Sequence, residues 1–156
     1  SLFDGGTHVP MCVYWKGHVR PVTSDALVCQ MDLLASLADM VGEETVPGLD
    51  SRAMMPVWLG ESTEGREDLV IENQGKLGLR AGNYAYLPPY TGPETNLTGN
   101  ELGNLGVDGL FDLKADEGQL TNIAQTDTAR LAQMKALFAD RTEGFYRPFV
   151  EEVTLK

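Results

Sequence analysis

The sequence has few positive charges and few histidines. Twelve Lys and Arg residues stand against 23 Asp and Glu residues, which gives a formal net charge of −11, and two His residues are present. Nucleic-acid binding needs a basic stripe that neutralises phosphates, and the sequence contains none. A chain of this charge is also repelled by anionic membrane surfaces. Nucleic acid and membranes are therefore not expected among its partners.

Long apolar runs and metal-binding cysteine motifs are also lacking. The longest apolar runs fall well short of the ~20 residues that span a bilayer. The first residues lack the basic and apolar regions of a signal peptide, so we expect any export signal of a parent protein to lie outside this chain. Cys12 and Cys29 each lie in an apolar run, which favours burial as small hydrophobic side chains over a disulfide or a reactive thiol.

The residues that are present suit a folded domain. Of the 156 residues, 42% are hydrophobic and 22% are charged, which is ordinary for a globular protein. This length is sufficient for one domain with its own core. The pattern along the chain predicts an α/β to α+β fold in two parts, 1–60 and 61–156.

The first part is predicted to be the end of an α/β domain. The continuous apolar run 9–15 predicts a strand that is covered on both faces, as in a parallel sheet. The segment 32–41 predicts an amphipathic helix with Asp32 as its N-cap and Gly42 as its stop. We expect the buried stripe of this helix to consist of Leu33, Leu34, Leu37, Met40 and Val41. A second, short helix is expected within 51–59.

The second part is predicted to be a small antiparallel sheet with a packed C-terminal helix. Short strands bounded by turn residues are expected at 68–72, 76–80, 83–87 and 109–113. The helix is expected over about 126–140, with Thr126 or Asp127 as its cap. Residues 61–67 have the composition of a polar linker, and the Pro- and Gly-rich stretch 88–106 predicts a long irregular loop.

The residue types alone indicate no catalytic constellation. His18 lies in a loop and is expected to be solvated, whereas His8 follows a Gly-Gly pair that lets the backbone approach a neighbouring group. For His8, a structural role at the start of the buried strand is favoured over contact with a ligand. The acidic pairs in turns lack the spaced oxygen ligands of a calcium loop, so we expect them to be solvated.

Several segments nevertheless resemble a known family, beginning with the first residues. Residues 1–10, SLFDGGTHVP, lead into an apolar run and then into Trp15-Lys16-Gly17. This order resembles the late catalytic-domain segment of the type I sulfatases, in which an acidic residue, Gly-Gly, a variable residue, Arg or His, Val and Pro lead into a strand that ends near Trp-Pro-Gly. The segment 32–42, DLLASLADMVG, is similar to the family's Asp-Leu-Leu-Pro-Thr-Leu helix with its closing Gly.

The likeness continues in the same order along the rest of the chain. Residues 49–60 are similar to the family segment that runs from Asp-Gly to a closing Gly, and residues 79–87, LRAGNYAYL, resemble its Arg-x-Gly-x-Tyr-Lys hairpin. Residues 109–113 and 121–124 resemble its Glu-Leu-Tyr-Asp-Leu and Asn-Leu-Ala signature. The chain therefore resembles the C-terminal portion of a formylglycine-dependent sulfatase, or arylsulfatase.

This resemblance implies a fold and a chemistry. The fold is alkaline-phosphatase-like: the last strand and helix of an α/β sandwich, followed by a small antiparallel sheet with a packed C-terminal helix. The parent enzyme would hydrolyse sulfate esters, with calcium or magnesium and formylglycine as cofactors. Formylglycine arises from a Cys or Ser in Cys/Ser-x-Pro-x-Arg, and neither Cys12 nor Cys29 lies in that motif. The motif, the metal ligands and the catalytic His lie upstream in the family, so we expect this chain alone to bind no cofactor and to be inactive.

The resemblance also points to site residues and partners. Candidates for facing the substrate, or for supporting residues that do, are Asp4, Gly5, Gly6, Thr7 and His8, the last of which stands where the family more often has Arg. The implied partners are a sulfated small molecule or glycan and the rest of the catalytic domain. Without that domain the strand predicted at 9–15 would have free edges, so we expect self-association.

Two other interpretations stay open at this point. A related phosphodiesterase or phosphonate hydrolase of the same superfamily would share these segments. A standalone binding or assembly module could have kept this part of the fold without the catalysis. Members of the sulfatase family are often exported, which gives a tendency for the parent protein but no location.

Overall fold

A computed structural model describes residues 1–144, which form two compact units. We call Ser1–Val9 together with residues 68–144 the sheet unit, and Pro10–Glu67 the helical unit. In chain order the elements are α1 (Asp4–Thr7), α2 (Asp32–Val41), α3 (Met55–Trp58), β1 (Asp68–Asn73), β2 (Lys76–Ala81), β3 (Tyr84–Leu87), β4 (Gly109–Asp112) and α4 (Thr128–Arg141). The division into 1–60 and 61–156 concerns the domains of a parent protein and stays a prediction.

The sheet unit contains one antiparallel sheet with the strand order β1-β2-β3-β4. Residues with positive φ close its two tight hairpins: Gln74 (54°) and Gly75 (76°) between β1 and β2, and Gly82 (52°) between β2 and β3. This backbone geometry matches the twist of the flanking strands. The long stretch between β3 and β4 is irregular apart from one bridge, between Thr95 and Glu101. The predicted sheet and the predicted loop at 88–106 are confirmed.

Helix α4 packs against one face of this sheet. The Asp127 carboxylate accepts a hydrogen bond from the Arg130 backbone N–H at 2.9 Å, so Asp127 is the N-cap, one of the two predicted residues. The rings of Tyr86 and Phe138 meet edge to face, with centroids 5.6 Å apart. The buried residues of this core are Leu79, Tyr86, Leu110, Ala124, Met134 and Phe138.

The start of the chain packs into the second core of the sheet unit. Successive side chains of a strand point to opposite faces, so Ala85 and Leu87 lie on the side away from Tyr86. Leu2 joins them there and is 1% exposed. The start of the chain is therefore anchored to the sheet through Leu2.

The strand predicted at residues 9–15 is not formed. These residues are irregular, and Val9 and Tyr14 are 74% and 85% exposed. Cys12 is exposed and Cys29 is half-buried, so the predicted burial of Cys12 is wrong. A strand requires a neighbour to pair with, and residues 10–67 contain no strand. The apolar run has the composition of a buried strand, but within the described residues only Val13 packs against a core, that of Met54, Val57 and Trp58.

Helix α2 has the predicted ends but buries the opposite side. Gly42, with a φ of 75°, ends the helix as predicted. The predicted buried stripe is exposed, with values from 44% to 66% for Leu33, Leu34, Leu37, Met40 and Val41. Asp32, Ala35 and Ser36 are buried instead, and the N-cap is Met31 rather than Asp32. The five apolar side chains do lie together on one side of the helix, but that side does not face the core of the helical unit.

An ion pair between Asp32 and Arg66 explains this orientation. The Asp32 carboxylate accepts from Arg66 Nε at 3.0 and 3.1 Å and from the backbone N–H groups of Cys29 and Arg52 at 3.1 and 3.0 Å. Burial raises the pKa of Asp32, but the hydrogen bonds from Arg66, Arg52 and Cys29 outweigh it and hold this pKa below its ordinary value. The polar linker predicted at 61–67 thus contains the buried partner of α2.

Candidate functional site

The five candidate residues form one short turn at the start of the chain. The backbone N–H of His8 donates to the Asp4 carbonyl at 2.7 Å and closes α1. Gly6 is required there, because a Cβ at this position would lie 2.8 Å from both Cβ and O of Ser1. Gly5 has open space around it and no such requirement. The Gly-Gly pair therefore allows the chain to turn tightly at its second glycine.

Apolar contacts of the two residues before this turn fix it to the sheet. Leu2 lies in the core with Leu87 and Phe111, and the Phe3 ring meets Phe111 edge to face at 5.8 Å between centroids. Gly103 has a φ of 74° and passes close to Leu2. A Cβ on Gly103 would lie 3.2 Å from the backbone N of Leu2. These contacts fix the position of the turn on the sheet unit.

The Asp4 carboxylate contacts two nitrogen-bearing side chains, those of His8 and Arg80. Its Oδ2 lies 3.0 Å from Nδ1 of His8, and its Oδ1 accepts from Nη1 of Arg80 on β2 at 2.6 Å. The Asp4 backbone N–H donates to Oε1 of Gln119 at 2.5 Å. The Asp4 side chain is 19% exposed, whereas that of His8 is 72% exposed. The His8 imidazole is thus exposed to solvent. It contacts the Asp4 carboxylate, which Arg80 holds in place.

This arrangement fixes what His8 can do chemically. An ionised carboxylate only accepts hydrogen bonds, so the ring nitrogen that faces Asp4, Nδ1, carries a proton. The other ring nitrogen, Nε2, then accepts a hydrogen bond when the ring is neutral and donates one when it is charged. A ligand hydroxyl can therefore pair with the exposed ring in either state, whereas an oxygen that carries no hydrogen can pair only with the charged ring.

Gln119 contributes to the site from the turn after β4. Its φ is 51°, a left-handed conformation that is uncommon for residues with a side chain, and the residue is 7% exposed. Within residues 1–144, its Nε2 group has no hydrogen-bond partner, which costs free energy at a buried position. The bond to Asp4 is thus the contact that orients the Gln119 amide.

The structure brings some of the predicted residues together and leaves others apart. Asp4 and His8 meet through their side chains, whereas the Thr7 hydroxyl donates back to the Phe3 carbonyl at 3.3 Å and Gly5 is exposed. The expectation of a structural His8 at the start of a buried strand is wrong, because that strand is not formed. His18 is exposed, as predicted, and stacks on Trp15 with the rings 4.1 Å apart.

Arg80 and Gln119 also belong to the site, although neither was among the residues predicted from the sequence. Arg80 lies in the hairpin segment that resembles the sulfatase pattern, but its contact with Asp4 spans 76 positions and has no local signal. Gln119 lies 115 positions from Asp4 and shows no motif at all.

The described residues do not fit a calcium or magnesium site. Among residues 1–144, no three His, Cys, Asp or Glu side chains are grouped to hold a metal ion. Both carboxylate oxygens of Asp4 already face nitrogen atoms of Arg80 and His8, so they are not free to ligate a cation. Within the same described range, no helix combines the length and the apolar composition of a membrane span.

Comparison with known proteins relates the chain to sulfatases. No protein-family model matches it. An N-acetylgalactosamine-6-O-sulfatase from Bacteroides thetaiotaomicron is 33% identical over 131 residues, and the match covers 80% of this chain and 25% of that protein. Arylsulfatase A from Homo sapiens is 29% identical over 94 residues, and the match covers 54% of this chain and 18% of that protein.

Solved structures give the same relationship. A "6S-sulf" protein, described with the metabolism of multiple glycosaminoglycans by Bacteroides thetaiotaomicron, superposes with a TM-score of 0.77 at 28% identity, over 83% of this chain and 28% of its own. A 2-O GAG sulfatase superposes with a TM-score of 0.50 at 24% identity and shares the fold. The chain therefore belongs with the sulfatases, with which it shares sequence and fold over about a quarter of their length.

Proposed function

We propose that this chain is the C-terminal portion of an enzyme that hydrolyses sulfate esters, and that it is inactive by itself. The observation that carries the proposal is its 33% identity to a sulfatase over 80% of the chain. The order of the family segments, from DGGTHVP to the last helix, supports a C-terminal position. Inactivity in isolation is proposed because neither Cys12 nor Cys29 lies in a Cys/Ser-x-Pro-x-Arg motif.

The cofactors of the parent enzyme would then be held by residues upstream of Ser1. In such an enzyme, formylglycine supplies the nucleophile, and calcium or magnesium stabilises negative charge on the sulfate oxygens. The present chain would contribute the wall of the active site that α1 forms and the sheet that supports it.

We propose a sulfated sugar as the substrate class, with His8 facing it. The relative with 33% identity is named for a sulfated amino sugar, which favours a glycan over a simple aryl sulfate. Sugar hydroxyls both donate and accept hydrogen bonds, and Nε2 of His8 can pair with them in either protonation state. Arg80 and Asp4 would hold the ring in the required orientation.

Translation of the complete reading frame in the source genome tests this proposal. We expect a Lys two residues before Ser1 and a Cys/Ser-x-Pro-x-Arg motif with Asp and Asn metal ligands further upstream. Mass spectrometry of the purified longer protein should then detect formylglycine in that motif. A start codon close to Ser1, without the motif, would contradict the proposal and favour a standalone binding or assembly module.

A further inference from the structure

The strongest unexplained feature of the molecule is the outward apolar face of α2. Leu34, Leu37 and Val41 are 58%, 48% and 66% exposed, and Leu33 and Met40 are exposed as well. At 100° per residue, these five side chains cover an arc of about 120° on the helix surface. A surface helix in water normally has its charged residues on this side and its apolar stripe towards the core. In α2 the apolar stripe faces solvent, whereas Asp32 and Ser36 are buried.

Specific polar contacts hold the helix in this orientation. On its inner side, Asp32 is paired with Arg66, and the Ser36 hydroxyl accepts from the Met54 backbone N–H at 2.8 Å. Ser51 Oγ accepts from the Ala35 backbone N–H at 2.9 Å. Rotation of α2 to bury its leucines would strip a buried charge of its partner, which is strongly unfavourable. The apolar face is therefore built to point outward.

The same unit leaves a second apolar segment uncovered. Met11, Tyr14 and Trp15 are 50%, 85% and 42% exposed, and residues 10–15 pair with no strand of the helical unit. Soluble monomers rarely leave many large apolar side chains in water unless a partner covers them. Of this second segment, Val13 alone packs against the core of the helical unit, so most of the apolar surface of both elements stays exposed.

We propose that the outward face of α2 docks against the polypeptide that precedes this chain in a full-length sulfatase. This inference rests on the proposed function and names the surface through which the chain joins the rest of the enzyme. The sulfatase relative matches 80% of this chain with only 25% of its own length, so most of its fold comes from residues without a counterpart here. We therefore take that remaining part of the fold as the occupant of the outward face of α2.

A second copy of the chain is a poorer occupant of this face. Helix α2 has ten residues. Such a helix is about 15 Å long and 10–12 Å wide. One face of that size is far smaller than the ~800 Å² per partner of a stable interface between separate proteins. A covalently connected polypeptide needs less area, because the connection removes most of the entropy cost of association.

Cysteine footprinting tests the proposal. The variants Leu37→Cys and Met40→Cys place a thiol on the outward face, in a background with Cys12→Ser and Cys29→Ser. The matched control is Leu97→Cys, because Leu97 is fully exposed on the loop of the sheet unit. Each variant is labelled with a thiol reagent at low protein concentration, first in the 156-residue chain and then in the polypeptide translated from the complete reading frame.

In the 156-residue chain, all three thiols should react at similar rates. In the longer polypeptide, we expect labelling at positions 37 and 40 to slow at least 100-fold and labelling at position 97 to change little. Labelling in denaturant shows that each thiol is reactive once it is exposed. Far-UV circular dichroism shows that each variant is folded under the labelling conditions. Release of sulfate by the longer polypeptide is measured separately, so protection without sulfatase activity would refute the proposed function and leave the docking face intact.

Three results would overturn the docking proposal. One is equal labelling in the two polypeptides while the longer one is folded. Another is slow labelling of positions 37 and 40 in the 156-residue chain at the low protein concentration of the assay that is relieved by further dilution, which would identify a tightly bound second copy as the occupant. The third is a complete reading frame that begins near Ser1 and so provides no preceding polypeptide.

Discussion

Arg80 donates a hydrogen bond to Asp4 at 2.6 Å, joining two residues that are 76 positions apart. This contact links the C-terminal end of β2 to the turn that carries His8. Since Asp4 also faces His8 at 3.0 Å, the orientation of the imidazole depends on a strand in the central part of the chain. The candidate site is therefore a property of the folded sheet unit and not of the DGGTH segment alone.

Loss of this contact should loosen the turn with a small effect on stability. We expect Arg80→Ala to lower the free energy of unfolding by about 0.5–1 kcal/mol, because the pair is partly exposed. Amide hydrogen exchange should accelerate in residues 4–8. The control is Lys135→Ala, which removes the pair between Lys135 and Asp108 in the same unit at 2.7 Å. Equal exchange in residues 4–8 of both variants would show that Arg80 does not hold the turn.

The buried pair of the helical unit should be far more sensitive to substitution. Asp32→Asn leaves the Arg66 guanidinium, whose side chain is 5% exposed, without its counter-charge. We expect a loss of about 3–5 kcal/mol in the free energy of unfolding, measured with urea. Asp39→Asn is the matched control, because Asp39 is an exposed carboxylate on the same helix, and it should change stability by less than about 0.5 kcal/mol. Similar losses in the two variants would contradict the role of the pair.

The same pair gives a pH dependence with a defined sign. The folded-state pKa of Asp32 lies below its ordinary value, because its hydrogen bonds outweigh the effect of burial. Its contribution is therefore fully present above the unfolded pKa of about 3.9 and is lost as the pH falls through the folded pKa.

The difference in unfolding free energy between the wild type and Asp32→Asn should accordingly be constant from pH 7 to about pH 5 and shrink below about pH 4. Urea unfolding at a series of pH values measures this difference. A difference that disappears close to neutral pH would contradict the assignment.

How much of this could be predicted from the sequence depends on whether the signal is local. The hairpins at Gln74-Gly75 and Gly82 and the cap at Asp127 are encoded within a few residues, so the sheet and α4 were predicted correctly. Helix α2 was predicted with the right ends, because Gly42 supplies a local stop. Its buried side was predicted wrongly, since an apolar stripe shows which side avoids water but not which part of the protein covers it.

The remaining failures have the same physical origin. The run at 9–15 has the composition of a strand, but strand formation also needs a pairing neighbour. Arg66 lies in a polar segment, and its partner Asp32 is 34 positions away. In the candidate site, the meeting of Asp4 and His8 follows from their i, i+4 spacing in a helical turn. The contributions of Arg80 and Gln119 depend on the folded sheet and could not be predicted locally.

The exposed apolar residues predict weak self-association of the 156-residue chain. We expect sedimentation velocity to show a monomer at low concentration and reversible oligomers at high concentration. Leu34→Glu/Leu37→Glu should reduce this association and, because both side chains are exposed, should leave the urea midpoint nearly unchanged. A clean monomer of the wild-type chain at high concentration would contradict this prediction.

Sulfate release is the measurement that tests the central claim most directly. The polypeptide translated from the complete reading frame, its variant with Ala in place of the Cys or Ser of the Cys/Ser-x-Pro-x-Arg motif, and the 156-residue chain are assayed with a chromogenic aryl sulfate and a 6-sulfated N-acetylgalactosamine. We predict sulfate release by the first protein alone. Release by the 156-residue chain, or no release by the longer polypeptide from either substrate, would contradict the claim.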